Sequence, residues 1–234
     1  MRLSSATCLA LVSSLVPGPS PAESKLPVVV ELYTSQGCSS CPPADAMLAD
    51  LARMDGVIAL SLHVDYWDYI GWPDSFADPA YSHRQEAYAR EAGEKMIYTP
   101  QIVVNGQDRL VASEPMRVME VLHAHADATT PIELEVTRHA HGLRIEAPAL
   151  DLAHPLEVQL VRYMPEDEVA ITGGENAGLT MAYHNIVTEW RTLGAWDGRE
   201  PLSMSVPADG PEAAVILLQE PGPGRIRAAA EIAP

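Results

Sequence analysis

The chain has 234 residues, of which 47% are hydrophobic and 20% charged, a composition that fits one large globular domain or two small ones and excludes a disordered chain. Its 15 Lys and Arg against 32 Asp and Glu give a formal net charge of −17, which repels phosphate backbones and offers no basic stripe, so nucleic acid is excluded as a partner. The acidity is spread without a long single-sign run and reads as a solubility feature.

In chain order, residues 1–22 read as an export signal: Met1-Arg2, a short apolar core from Cys8 to Val16, and small residues at the cleavage-defining positions of Ser20-Pro21-Ala22. A membrane span needs about 20 apolar residues, which this stretch does not supply. Cleavage near Ala22 would remove Cys8 and leave a periplasmic or secreted chain with no membrane association. Cys38 and Cys41 then remain, a single close pair whose short loop adds little as a staple, so a chemical role is expected of it.

Residues 27–33 form a β-branched apolar run, the pattern of a central strand buried on both faces. A helix with Met47, Leu48, Leu51 and Met54 on one face follows and ends at Gly56. Residues 57–64 form a second strand, parallel to the first by the right-handed crossover rule. An irregular aromatic stretch, residues 65–73, precedes Asp78-Pro79, an N-cap and N1 proline for a helix with Tyr81, Tyr88 and Ala92 on one side and Gly93 at its close. Thr99-Pro100 opens the strand Gln101-Ile102-Val103-Val104, which Asn105-Gly106 turns into Arg109-Leu110-Val111 as a hairpin. Ser113 is the expected cap of a third helix through Met116, Met119 and Leu122.

From Pro131 the pattern changes to short alternating stretches such as Leu143/Ile145, Leu156/Val158/Leu160, Val169/Ile171 and Val215/Leu217, separated by turns including Gly173-Gly174. The expected architecture is therefore an α/β unit of order β-α-β-α-β-β-α over residues 26–128, as in thioredoxin-like folds, followed by an antiparallel, sandwich-like β unit over residues 131–234.

The chemistry centres on Gly37-Cys38-Ser39-Ser40-Cys41-Pro42-Pro43, two thiols one helical turn apart where a buried strand gives way to a helix. Unpaired N–H groups and the helix dipole favour a thiolate there, and the two prolines suit a first turn that has no use for their missing N–H groups. With Ser39 or Ser40 as the cap, Cys38 is the outer, attacking sulfur and Cys41 resolves the mixed disulfide. Activation is left to the helix end, to Ser39 and Ser40, or to residues brought in by folding. A proline at a strand mouth gives up a ladder hydrogen bond and its peptide bond tolerates cis, so Thr99-Pro100 is the second candidate element.

These motifs and the element order resemble the thioredoxin superfamily. More closely, Glu31-Leu32-Tyr33-Thr34-Ser35-Gln36-Gly37-Cys38, His63-Val64-Asp65-Tyr66-Trp67-Asp68-Tyr69, Tyr98-Thr99-Pro100-Gln101, Gly174-Glu175-Asn176 and His184-Asn185-Ile186-Val187 resemble the exported bacterial family called domain of unknown function 1223. The resemblance implies a thioredoxin-like half fused to a β-rich half, with a cis-proline across from the cysteines, where the backbone before it can pair with a bound peptide. Two departures from thioredoxin stand out: no Trp precedes the first cysteine, and Ser39-Ser40 replaces Gly-Pro.

The leading expectation is a thiol–disulfide oxidoreductase with Cys38 and Cys41 as its only redox group and no other cofactor, acting on a protein or small thiol or disulfide and served by an electron-transfer partner. Thr99, Pro100, Tyr66 and Trp67 are the candidate substrate-binding residues, although the aromatic stretch, with Tyr69 and Trp72, reads first as a plug against the core. His63 and Asp65, at the carboxyl end of the second strand, are candidates for proton movement, with an end-of-strand pair held by local hydrogen bonds as the alternative. The rival function is a Cu(I) carrier or partner-binding module, because soft thiolates suit Cu(I) while zinc would want four ligands. A third is a scaffold with a buried, inert disulfide. His123, His125, His139 and His141 read as solvated, and Tyr183, His184 and Asn185 as structural or as a contact between the halves.

Overall fold

The computed structural model describes residues 24–208, 210 and 212–232; the expected export signal lies outside the described residues. Among these no helix is long and apolar enough to cross a membrane.

A two-residue strand, β1 (Ser24–Lys25), leads into β2 (Val28–Thr34), which is buried at every position, as an apolar run without alternation requires. Helix α1 (Pro42–Leu51) carries the chain across to β3 (Val57–His63), parallel to β2 from Val28 opposite Val57 to Thr34 opposite His63. Leu48 and Leu51 face the core, whereas Met54 lies beyond the helix end and is partly in solvent. Helix α2 (Pro79–Glu91) starts as expected: Asp78 is extended and its Oδ1 accepts the Ala80 N–H at 2.8 Å.

Strands β4 (Gln101–Val104) and β5 (Asp108–Val111) form the expected hairpin. Asn105 (φ 47°) and Gly106 (φ 68°) both take the left-handed conformation that its tight turn demands, and the Gln107 N–H closes it on the Val104 carbonyl at 2.9 Å. Helix α3 (Pro115–His125) packs through Val118, Val121 and Leu122. Its N-cap is Glu114, without a side-chain cap bond, and not the expected Ser113; Pro115 sets the first turn instead.

Then come β6 (Thr129–Thr130), which pairs back on β1, and β7 (Glu135–His139), β8 (Gly142–Ala147), β9 (Leu156–Ala170), β10 (Thr180–Trp196), β11 (Leu202–Val206), β12 (Ala213–Gln219) and β13 (Ile226–Ile232). The result is a mixed α/β protein with one sheet of eight strands in the order β13-β12-β9-β10-β3-β2-β4-β5, and a separate sheet β11-β8-β7. The small sheet covers the far half of the large one through Leu143, Ile145, Leu156, Val158, Leu160, Ile216 and Leu218.

Two strands depart from the expected short stretches. β9 and β10 run 15 and 17 residues as one long hairpin, in which the exposed acidic residues Glu166, Asp167 and Glu168 pair with His184, the buried Tyr183 and Ala182. The alternation is interrupted on the β9 side because residues 165–168 are all exposed, although the backbone ladder continues. β10 also lies parallel to β3, with Ile186 opposite Ser61, and Asn185 (φ 48°) donates through Nδ2 to the Ala59 carbonyl at 2.8 Å. One apolar cluster therefore crosses the two halves, from Tyr33, Leu60, Leu62 and Tyr88 to Val161, Tyr163, Val187, Val215 and Leu217.

A buried ionic knot sits at the edge of that cluster. Arg84 of α2 grips Glu31 of β2 in two bonds, Nε to Oε2 at 2.7 Å and Nη2 to Oε1 at 2.9 Å. The same guanidinium reaches Gln219 Oε1 of β12 at 3.0 Å and lies 3.8 Å from the centre of the Trp190 ring of β10. Tyr33 and Tyr88 hydroxyls also donate to Glu31, so the buried carboxylate has a full shell of donors.

Candidate functional site around the Cys38–Cys41 disulfide

Between β2 and α1 the chain turns twice. The Cys38 N–H donates to the Ser35 carbonyl and the Cys41 N–H to the Cys38 carbonyl, each at 3.1 Å, and the Cys41 carbonyl then accepts from Ala44 and Asp45. Cys41 itself is the N-cap, with helical φ and ψ and no side-chain cap bond, and Pro42 and Pro43 follow in the first turn. Ser39 and Ser40 are exposed and do not cap, because the preceding turn already brings the backbone into helical conformation. Ser40 Oγ lies 3.4 Å from Cys38 Sγ. The sulfurs are joined: Cys38 and Cys41 form a disulfide with 5.4 Å between their Cα atoms.

The outer sulfur is not open to solvent. Cys38 is 1% exposed and Cys41 0%, against the expectation of an accessible Cys38. Two segments close over the pair. A Cβ placed on Gly37 would stand 3.2 Å from Ile70 Cδ1 and 3.3 Å from Trp67 Cβ, so the aromatic stretch lies directly on the cysteine loop. From the tip of the β9–β10 hairpin, Asn176 Nδ2 donates to the carbonyls of Gln36 at 2.8 Å and Cys38 at 3.0 Å. The two covers also touch each other, since a Cβ on Gly173 would be 2.6 Å from the Gly71 carbonyl oxygen. Local sequence pattern carries no trace of a cover supplied from 138 residues away.

The Thr99–Pro100 bond is cis, and Pro100 immediately precedes Gln101, which pairs with Tyr33 near the end of β2. Trp67 links this turn to the cysteine loop: its Cβ packs on Gly37 while its Nε1 donates to Thr99 Oγ1 at 2.7 Å. Tyr66 turns the other way and donates to Gln85 Oε1 of α2 at 3.0 Å. Trp72 Nε1 donates to Gln36 Oε1 at 2.8 Å, and Tyr69 stands 83% exposed. The stretch thus packs on the cysteine loop and α2, and of its aromatic side chains Tyr69 alone projects into water.

The expected pair His63 and Asp65 separates. Asp65 faces α2, where Ser82 Oγ donates to its Oδ1 at 2.5 Å. His63 is fully buried, with Nδ1 2.7 Å from Oδ2 of Asp74, a residue the sequence reading did not single out. Asp74 also accepts the Gln36 N–H at 2.7 Å and the Phe76 N–H at 2.9 Å, and so ties the cover to the cysteine loop. The His63 ring meets Tyr183 of β10 edge-on at 5.0 Å.

Asp45 was missed as well. It lies one turn beyond Cys41 on the buried side of α1, beside Ala44 and Leu48, and an acid on an otherwise apolar face was the signal available. Its Oδ1 accepts the Thr34 hydroxyl at 2.7 Å, whereas Oδ2 is buried with no partner, as is Nε2 of His63. Burial pushes the Asp45 carboxyl up to about 7, although His63 and the Thr34 hydroxyl pull it back down.

The remaining histidines do not converge. His123 bonds the Met119 carbonyl, His125 pairs with Asp108 at 2.7 Å, and His139 meets Thr137. Among the described residues no group of three or more His, Cys, Asp or Glu side chains comes together that could hold a metal ion.

Fold and site define a mixed α/β protein with a Cys-x-x-Cys disulfide at a strand-to-helix junction, closed over by the Trp67–Ile70 segment and by the tip of the β9–β10 hairpin. The chain belongs to the family described as protein of unknown function, DUF1223, whose profile matches residues 29–219. It is similar to the crystal structure of Protein AGR_C_4864 from Agrobacterium tumefaciens, with 31% identity, a TM-score of 0.77, and 91% of this chain and 96% of that one covered. It shares a fold with HBP35 of Porphyromonas gingivalis at 16% identity and a TM-score of 0.63, over 89% of this chain and 75% of that one. Among curated proteins none matches.

Proposed function

We propose that the protein is an exported thiol–disulfide oxidoreductase in which Cys38 exchanges with an incoming sulfur and Cys41 resolves, on a thioredoxin-like unit spanning residues 26–128 that is joined to a β-rich unit spanning residues 131–234. The observation that carries this reading is the oxidised Cys38–Cys41 pair at the start of α1, with the Thr99-Pro100 turn one indole away. The order β3-β2-β4-β5, with β2 and β3 parallel and β4 antiparallel, supports the thioredoxin-like part.

On this reading the partner is a protein or small thiol or disulfide, and Trp67 and Ile70 move aside as it approaches Cys38. Thr99 and Pro100 then receive the substrate strand that Trp67 now covers, while Tyr66 holds the loop to α2. Reduction of the folded protein by dithiothreitol, followed by reoxidation, tests this. Wild type should cycle and Cys38→Ser should not; a pair that opens only when the protein is unfolded would end the proposal.

The burial of both sulfurs favours a second reading, an inert disulfide that pins the start of α1. The same experiment separates the two, because an inert bond resists reductant until global unfolding.

A further inference from the structure

We infer that the groove between α2 and the root of the β9–β10 hairpin binds a small hydroxylated carboxylic acid, seated by its carboxylate on the guanidinium of Arg84. The groove has a volume of about 450 Å³, within the range of small-molecule sites, about 300 to 1,000 Å³. One wall is a single stripe of α2, because residues 80, 83, 84, 87 and 90 recur every three or four positions. The small Ala80 and Ala87 leave the room, and His83, Arg84 and Arg90 stand along it. The other wall is Glu157 and Gln159 of β9 with Trp190 and Thr192 of β10. Both halves of the chain therefore build it, and junctions of this kind are where ligand sites gather.

Arg84 is held for the purpose. Its Nε and Nη2 are taken up by Glu31, Tyr88 and Gln219, and the Trp190 ring lies against its face at 3.8 Å. Trp190 is fixed in turn: its Nε1 donates to Gln159 Oε1 at 3.0 Å, and Gln159 Nε2 donates to Glu157 Oε2 at 2.8 Å. Nη1 is the one guanidinium nitrogen without a bond. It is not among the unpartnered polar atoms sealed from water, so it opens on the groove that Arg84 lines. A cation locked by its neighbours, with one donor left facing a cavity, has already lost the freedom that binding would otherwise remove.

Charge selects the ligand. Glu31 balances Arg84, so an anion at Nη1 shares that cation with a carboxylate on its other edge. For a monoanion Arg90 offsets the repulsion: it is exposed and tied to Glu86 only at 3.7 Å, which lets it turn inward. A phosphate dianion would bring a second negative charge against Glu31 and Glu157. The planar fork of arginine also matches a planar carboxylate. Across the groove, the Glu157 carboxylate, the Gln159 amide and the Thr192 hydroxyl offer hydrogen bonds to hydroxyl groups and no bed for an apolar tail. The site lies at the opposite end of the hairpin from the tip over the cysteines, so it stands or falls independently of the redox reading.

The test is a titration of the full-chain protein with D-glucuronate and with D-gluconate, followed by NMR of the indole N–H signals. The chain has four tryptophans. The Trp190 signal, assigned with Trp190→Phe, should move saturably. Trp67 and Trp72, over the cysteine loop, and Trp196, on the other face of the sheet, should not. D-glucose, which lacks only the carboxylate of glucuronate, should move nothing, and glucose 6-phosphate should bind more weakly than glucuronate. Arg84→Lys keeps a cation for Glu31 but loses the fork, and should weaken binding about tenfold or more. Ala87→Phe, outside the ionic knot, should fill the groove and abolish it. Failure of both acids to move the Trp190 signal would overturn the proposal, as would wild-type affinity in Arg84→Lys or Ala87→Phe. Glucose binding as well as glucuronate, or glucose 6-phosphate binding more tightly, would overturn the ligand class.

Discussion

Asn176 donates one amide group to the carbonyl of Cys38 at 3.0 Å, although 138 residues separate them in the chain. The same Nδ2 serves the Gln36 carbonyl, so a single side chain from the hairpin tip satisfies both carbonyls that flank Gly37. Replacing it with alanine takes this donor from the Gln36 carbonyl and leaves the Cys38 carbonyl with the Cys41 N–H alone. Asn176→Ala should lose about 2 kcal/mol in urea denaturation. It should also speed reduction of the disulfide about tenfold, since each 1.4 kcal/mol of local loosening is worth about one decade in rate.

Trp67 closes the other side, resting on Gly37 and bonded to Thr99. Trp67→Ala should expose Cys38 and raise the rate of reduction by dithiothreitol about tenfold or more. Tyr69, in the same segment but projecting into water, is the control, and Tyr69→Ala should leave that rate unchanged. Equal rates for wild type and Trp67→Ala would show that the indole does not limit access.

The Arg84–Glu31 pair makes a separate prediction about stability. Arg84→Met leaves the fully buried Glu31 carboxylate without its cation and should cost about 3–5 kcal/mol. Adding Glu31→Gln keeps acceptors for the Tyr33 and Tyr88 hydroxyls without the charge and should restore more than half of the loss. Calorimetric unfolding of the two single variants and the double variant measures this coupling.

Asp45 gives stability a pH dependence with a definite sign. Its carboxyl rises from 3.8 in the unfolded chain to about 7 in the fold. A raised carboxyl contributes stability that is fully present below 3.8 and is lost as pH climbs through 7, where a bare charge must be buried. Asp45→Asn removes the charge, so the variant should gain on wild type across that window, by on the order of 3 kcal/mol on its alkaline side. Urea titrations at several pH values check it, and a constant difference would contradict it.

Much of the architecture was legible because its signals are local. Asp78-Pro79 caps α2, Asn105-Gly106 turns the hairpin, and the unbroken apolar run of β2 announces a strand covered on both faces. The cysteine pair and Thr99-Pro100 were visible for the same reason. What stayed hidden depends on meetings across the chain. Nothing near residues 38 and 41 says that they are covered, since the cover comes from residues 67–76 and from 173–178. His63 was visible but its partner Asp74 was not, because they meet only when the segment after β3 folds back over the strand end. The β10 pairing with β3 was equally hidden, as Ile186 and Ser61 carry no mark of each other.

That last pairing bears on how the molecule could be divided. A polypeptide stopping at Ala128 would leave the outer edge of β3 around Ala59 and Ser61 without β10 and strip nearly half of the lining from around Tyr33 and Leu62. Such a raw border recruits strands from strangers. Scissors applied at the change of pattern would therefore release two sticky fragments, each missing the wall that the other provides.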